Sequence, residues 1–307
     1  MVDRDTWVKT DSYVRTAMVA LLIGLSVAVF YQSGKQGFLL DSVSAYYYTP
    51  AQGMFVGSLI GLAACMIALK GITEYEDIFL NLGGMFAAIV AVVPTSRGQD
   101  FDAAVRACQE AGGAPFTQRA SAADCPSVAA LVEATRANVE NNMVALLVVG
   151  GFGLLATVLL AFRDRSAEGV RRADTRAFWV GMVATVAVWA GALVGLSAFE
   201  RWFVDHAHFI AAAGLFLAIV AVGIANAVRK RDEEQGGGPG GGVLVGPPRQ
   251  MGRYAWLVWL MVATGAVMGV LVLVDVIALF WLEIVVAALF AVFWTVQAVE
   301  QLPARAN

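Results

Sequence analysis

Three segments of this 307-residue chain carry polar side chains that could do chemistry, and each lies beside an apolar stretch about long enough to cross a bilayer. The first reads DSVSAYYYTP, the second FERWFVDHAHF, and the third has a single glutamate within FWLEIVVAALFAVFW. Ionisable and strongly polar groups are costly inside a membrane, so those at its edges and interior are the first candidates for a functional site. The candidates are Asp41, Ser44, Tyr46, Tyr47, Tyr48, Asp205, His206, His208 and Glu283.

The first segment offers a carboxylate, several hydroxyls and three consecutive tyrosines. Tyrosines at a membrane interface form an aromatic belt, and Pro50 suits the start of a helix, so these two roles explain most of the segment. Three tyrosines in a row cannot all face lipid on a helix. At least one of them is therefore predicted to point into the bundle.

The second segment holds the only two histidines of the chain, His206 and His208. Residues two apart lie about 200° from each other on a helix, so both could ligate one metal ion only on an extended backbone. Asp205 is predicted to be the N-cap of the sixth helix. A cap at the membrane interface is favoured over a metal site, and no metal or other cofactor is predicted.

Glu283 lies about one turn inside the last apolar run and has no cationic neighbour in sequence. It could reach back to the outer interface, where Asp275 is close by. Because its side chain is short, a position facing the bundle, with a partner on another helix, is favoured.

The elements that must position these residues are apolar helices. Apolar residues make up 59% of the chain and charged residues 15%, a composition that a soluble protein of this length could not bury. An all-α bundle of about eight transmembrane helices is expected, or six or seven if the last pair is re-entrant. The predicted spans are Arg15–Tyr31, Ala51–Lys70, Ile78–Thr95, Asn142–Phe162, Ala177–Ala198, His208–Val228, Tyr254–Val274 and Leu279–Val299.

The distribution of Lys and Arg indicates the orientation of the bundle. With the N-terminus in the cytoplasm, 15 of the 21 basic residues lie on the inner side and 6 on the outer side. Four of those six fall in the long loop 96–141, where charge influences orientation least. Both termini are therefore predicted to be cytoplasmic. The dominance of Arg over Lys, with abundant Ala, Val and Gly, is typical of a high-GC bacterium, and the predicted location is the bacterial inner membrane.

Two segments divide the chain. The external loop 96–141 contains Cys108 and Cys125, which this orientation places where a disulfide can form, and its stretch Val128 to Val139 could continue as a helix towards the fourth span. Residues 232–253 include GGGPGGG and are predicted to be a flexible cytoplasmic linker. The expected domains are a six-helix bundle over 1–231 and a closing hairpin over 254–307.

Several small or amide-bearing residues inside the spans indicate helix contacts. Gly57-x-x-x-Gly61 and the cluster Gly150, Gly151 and Gly153 allow close approach of helices, although such patterns are common in membrane proteins. Asn81 is predicted to form a hydrogen bond between helices.

Three stretches resemble a family of uncharacterised bacterial multi-pass membrane proteins with an S-x-S-A-Y-Y-Y/H-T-P first external loop. They are SVSAYYYTPAQGMFVGSLIG, NLGGMFAAIVAVVPT and FWLEIVVAALFAVFW. This resemblance implies a membrane helix bundle and no particular activity. More remotely, the layout is similar to the alkaline-ceramidase and adiponectin-receptor superfamily of seven-helix hydrolases, which hold zinc through histidines. The late H-x-x-x-H of that superfamily is absent here, and two histidines cannot build a three-histidine zinc site.

The leading functional hypothesis is an outward-facing polar pocket, lined by the nine candidate residues, that binds a lipid or small amphiphile without catalysis. One alternative is a membrane lipid hydrolase that uses a metal ion, or Glu283 or Asp205 as base. A second alternative is a small-solute transporter, but the inner halves of the spans look nearly free of the ionisable residues that it would need. Membrane lipids are the expected partners, nucleic acid is not, and a protein partner or homo-oligomer is left open.

Overall fold

The computed structural model of the chain describes residues 4–71, 73–95, 128–163, 175–234 and 252–301. All regular structure in these ranges is helical. One short 3-10 helix covers Ser44–Tyr48, and the α-helices are α1 (Arg4–Gln36), α2 (Gln52–Ala68), α3 (Glu74–Val92), α4 (Val128–Arg163), α5 (Arg176–Ala198), α6 (Glu200–Glu234), α7 (Arg253–Leu273) and α8 (Leu279–Gln301).

The expected bundle of membrane helices is confirmed. Seven of the described helices are long and apolar enough to cross a bilayer, and the 17-residue α2 is a shorter apolar helix. Each of the eight predicted spans coincides with one of these helices. The end of the bundle that holds the start of α1 is called the inner end below, and the opposite end is called the outer end.

Six helices form a ring. α1 packs against α2 and α8, α2 against α3, and α3 against α6. The hairpin of α7 and α8 completes the circle, because α7 contacts α6 while α8 contacts α1. α4 and α5 pack against each other and flank the ring along α3, where α5 also contacts α6.

The interior consists of two stacked apolar clusters. The outer cluster includes Tyr46, Phe55 and Phe280, and the inner cluster includes Met66 and Trp294. Side chains at the boundary pack against both clusters, so the interior is apolar along most of the ring. The polar groups are concentrated at its two ends.

Glycines allow α2 and α3 to approach closely. A Cβ atom on Gly84 would lie 2.8 Å from the carbonyl oxygen of Ala63, which is backbone and cannot move aside cheaply. In the predicted Gly57-x-x-x-Gly61 pattern, only Gly61 lies at an interface. A Cβ atom on Gly61 would lie 2.9 Å from the Leu21 side chain of α1, whereas one on Gly57 would meet nothing within 4 Å. Since apolar lipid gives helices little reason to associate, such close contacts supply much of the packing.

The predicted start of the sixth span is wrong. α6 begins at Glu200, and only Phe199 separates it from α5, so Asp205 lies inside the helix and is not its N-cap. The reason is that Phe203, Ala207 and Ala211 are buried at four-residue spacing, which continues the apolar face through the segment that was expected to be a loop.

The helix-compatible stretch before the fourth span does join it, since α4 begins at Val128. The predicted disulfide of Cys108 and Cys125 lies outside the described residues, as do residues 235–251 of the predicted linker. Cys65 on α2 is a free, half-buried thiol.

We expect Gly84→Ala to lower the free energy of unfolding by about 1–3 kcal/mol, the usual cost of overpacking a tight contact. Thermal unfolding in detergent, followed by circular dichroism, measures the change. Gly57→Ala is the matched control and should leave stability unchanged, because its new methyl group meets nothing within 4 Å. Equal losses in both variants would contradict the close approach of α2 and α3.

Candidate functional site

The first loop is tied to the start of α8 at the outer end of the ring. The Glu283 carboxylate accepts a hydrogen bond from the Val43 backbone N–H at 2.5 Å. In return, the Phe280 N–H, one of the donors left free in a first helical turn, binds the Asp41 carbonyl oxygen at 2.7 Å. Glu283 therefore faces the bundle as predicted, but the partner expected on another helix is wrong, because the carboxylate binds the backbone of the loop.

The tyrosines of the 3-10 helix fill the outer end of the interior. Tyr46 and Tyr47 are buried, at 0% and 5% exposure, and Tyr48 is half-buried. The Tyr46 hydroxyl contacts Ser33 Oγ and accepts from the Leu40 N–H at 3.2 Å. The prediction that at least one tyrosine points into the bundle is confirmed.

Serine and tyrosine hydroxyls then connect the 3-10 helix to the end of α3. Ser44 Oγ donates to Thr95 Oγ1 at 3.1 Å, and Tyr48 Oη donates to the Thr95 carbonyl oxygen at 2.8 Å. Ser42 Oγ lies 3.0 Å from Ser44 Oγ. Polar groups that are distant in sequence thus satisfy one another at this end of the bundle.

The two histidines point in different directions, as their spacing predicts for a helix. His208 is buried, and its Nδ1 donates to the Val93 carbonyl oxygen at 2.6 Å. His206 is exposed, stacks on Trp202 at a centroid distance of 5.0 Å, and bonds the carbonyl of that residue. Within the described part of the chain, no three His, Cys, Asp or Glu residues are grouped so that they could hold a metal ion.

The structure therefore brings together seven of the nine candidates at the outer end and leaves two apart. The neighbouring group comprises Asp41, Ser44, Tyr46, Tyr47, Tyr48, His208 and Glu283. Asp205 and His206 are exposed on α6 and are not joined to this group by those hydrogen bonds. The outward-facing pocket itself stays a prediction.

A cavity of about 380 Å³ lies elsewhere, between α3, α4 and α5, and is called the α3–α5 groove here. Its walls are mainly apolar side chains and glycines, and its polar residues gather towards the inner end. The residues that define it include Glu74, Asp77, Ile78, Asn81, Met85, Met143, Gly150, Gly153, Leu154, Phe178, Gly181, Met182 and Trp189.

Small residues and one tryptophan shape the groove. The Trp189 indole N–H donates to the Leu147 carbonyl oxygen at 2.8 Å, which fastens α5 to α4 near the middle of the bundle. Gly150 makes room for this ring, since a Cβ there would lie 3.1 Å from it. Further towards the inner end, Gly153 lines the groove, and a Cβ atom there would meet nothing within 4 Å.

Sequence reasoning missed this groove, although two of its signals are present in the chain. The glycine cluster on α4 indicates close helix contact, and part of it instead borders a cavity. Asn81, which was expected to form a hydrogen bond between helices, forms none within the described residues and lines the groove. Glu74, Asp77 and Asn81 share one face of α3, but only the structure shows that α4 leaves that face uncovered.

The inner halves of the predicted spans look nearly free of ionisable residues, but buried ionisable groups do lie at the inner end of the bundle. Glu76, 1% exposed, accepts from Asn226 of α6 at 2.8 Å. Arg15, fully buried, contacts Gln297 of α8 and pairs with Asp11 at 3.1 Å. Hydropathy does not reveal these groups because Arg15 and Glu76 lie at the borders of their apolar runs, beside other polar residues.

The chain matches no family model, no curated protein and no solved structure among those with which it was compared. Both resemblances drawn from the sequence consequently stay predictions. Any proposal about function must be argued from the site itself.

We expect Glu283→Ala to reduce the free energy of unfolding by about 1–3 kcal/mol, because the Val43 N–H loses its acceptor. Glu283→Gln should retain most of the stability, since an amide oxygen can accept the same hydrogen bond. Thermal unfolding of both variants in nanodiscs provides the measurement. If the two variants lose the same stability, the carboxylate does not act here as an acceptor for the loop.

Proposed function

We propose that this integral membrane protein binds a lipid or another long-chain amphiphile, and that the α3–α5 groove is its site. The observation that carries the proposal is a cavity with apolar walls over most of its length and polar side chains towards one end. Its volume of about 380 Å³ lies within the range of small-molecule sites. This distribution of polarity matches a molecule with an alkyl chain and a polar head.

The length of the groove also suits an alkyl chain. Its lining extends from Glu74 to Ile89 on α3 and from Met143 to Thr157 on α4. At 1.5 Å per residue each stretch is roughly 20 Å long, against about 15 Å for the hydrocarbon of one leaflet. An extended acyl chain therefore fits along the helices with its head at the inner end.

The groove walls offer an alkyl chain few competing polar contacts. Thr157 and Thr185 donate to the carbonyl oxygens of Gly153 and Gly181, four residues earlier on their own helices. Thr175 accepts from the Phe178 N–H as the N-cap of α5. Because these hydroxyls already form hydrogen bonds within the protein, an alkyl chain beside them leaves no polar group without a partner.

We also retain three sequence predictions as proposals: the orientation and location, the outer pocket, and the hydrolase alternative. The excess of basic residues at the inner end supports insertion with both termini in the cytoplasm, and a bacterial inner membrane is the proposed location.

An outward-facing amphiphile pocket at the tyrosine-rich outer end would be supported by altered lipid binding in Tyr47→Phe. The hydrolase alternative requires Glu283 or Asp205 as base, and its test is loss of lipid turnover in Glu283→Gln at unchanged stability.

We expect a phospholipid with a diazirine in its acyl chain to label the α4 segment from Gly150 to Thr157 when the protein is photolysed in nanodiscs. Gly153→Leu should reduce this labelling at least about fivefold, because its side chain enters the open groove. Peptide mapping by mass spectrometry locates the label.

Gly191→Leu is the matched control for this labelling. Gly191 is an exposed glycine of α5 with open space at its Cβ, and it does not line the groove. Labelling that stays the same in Gly153→Leu, or that falls equally in both variants, would overturn the groove as the binding site.

A further inference from the structure

The polar end of the groove is acidic. Glu74 lies in the first turn of α3 and is exposed, and Asp77 follows one turn later. Both line the groove, and no Lys or Arg is among the described residues that line it. A headgroup at this end of the groove therefore lies beside these two carboxylates.

The two carboxylates differ in how far the protein already uses them. Asp77 accepts a hydrogen bond from the Gly71 N–H and so holds the turn before α3. Glu74 forms no ion pair or hydrogen bond within the described residues. The N-terminus of α3, which is capped by Thr73, interacts favourably with a negative charge in its first turn, where Glu74 lies.

Asn81 lies two turns further along the same face of α3, roughly 10 Å deeper in the membrane at 1.5 Å per residue. Its amide lines the groove and makes no hydrogen bond with the described part of the chain. An amide in an apolar groove gains from a carbonyl partner because water is scarce at that depth. The ester or amide carbonyl that links a lipid headgroup to its acyl chain is such a partner.

We infer that the occupant of the groove is an acyl lipid with an ammonium headgroup, whose ammonium pairs with Glu74 and whose acyl carbonyl accepts from Asn81. This inference rests on the proposed function and adds the chemical class of the ligand. An anionic lipid is disfavoured by the same carboxylates, since like charges repel. Selectivity for an ammonium headgroup over an anionic one therefore comes from both attraction and repulsion by the carboxylates.

The experiment is native mass spectrometry of the full-length protein with equal amounts of phosphatidylethanolamine and phosphatidylglycerol of identical acyl chains. The first bound lipid should be mainly phosphatidylethanolamine. Glu74→Gln should lower the ratio of the two by about three- to tenfold, as expected when a charge-assisted contact is lost. Glu74→Lys should reverse the preference.

Asp275→Asn is the matched control. It removes an exposed carboxylate at the outer end, and asparagine tolerates the positive φ of 55° at that position. The lipid ratio should not change. An equal change in Asp275→Asn and Glu74→Gln would overturn the inference, because the effect would then come from net charge.

Two further comparisons test the contact of Asn81 with the acyl carbonyl and the assignment of the lipid to the groove. Dodecyltrimethylammonium carries an ammonium group but no carbonyl. Asn81→Leu should therefore weaken the binding of phosphatidylethanolamine and leave the binding of dodecyltrimethylammonium unchanged. An equal effect on both would overturn the role of the acyl carbonyl. If the two phospholipids bind equally and both are lost in Gly153→Leu, the headgroup assignment is overturned and the proposed function stands. Lipid binding that persists in Gly153→Leu would overturn both.

Discussion

The pairing of Glu283 and Phe280 with the backbone of the first loop is the interaction on which the rest of the outer end depends. Irregular backbone is tolerated at membrane depth only where it is enclosed by protein and its N–H and C=O groups find partners. The loop meets this requirement by binding α8, which is the last helix of the ring. These two hydrogen bonds therefore satisfy two backbone groups of the loop and join α8 to the segment that follows α1.

Hydropathy predicts the helices well and their contacts poorly. Each apolar span is a local property of the sequence, whereas the start of α6 depends on whether residues around Phe203 face a neighbouring helix. The bond between Glu76 and Asn226 joins positions 150 residues apart, and its existence requires the relative rotation of α3 and α6. The outer tyrosines were predictable because three neighbours cannot share one face. The α3–α5 groove was not, because a cavity is defined by the side chains that fail to meet across it.

The groove lies where two kinds of packing meet. The six-helix ring is held by glycine contacts, by two apolar clusters, and by polar pairs that include fully buried Arg15. α4 and α5 flank this ring and are fastened to each other by the Trp189 hydrogen bond. A less deeply embedded helix pair beside a well-packed ring leaves space at its border, and a lipid can occupy that space.

The junction between α5 and α6 makes this border mechanically stiff at one end. With Phe199 as the only residue between the two helices, there is no slack loop to absorb a change in their relative angle. Tilting of α5 to admit a ligand must pivot about this corner and exert torque on α6, the helix that carries Asn226 and packs along α3. A ligand that changes the tilt of α5 would therefore also move α6 relative to α3, with Phe199 at the outer end as the pivot.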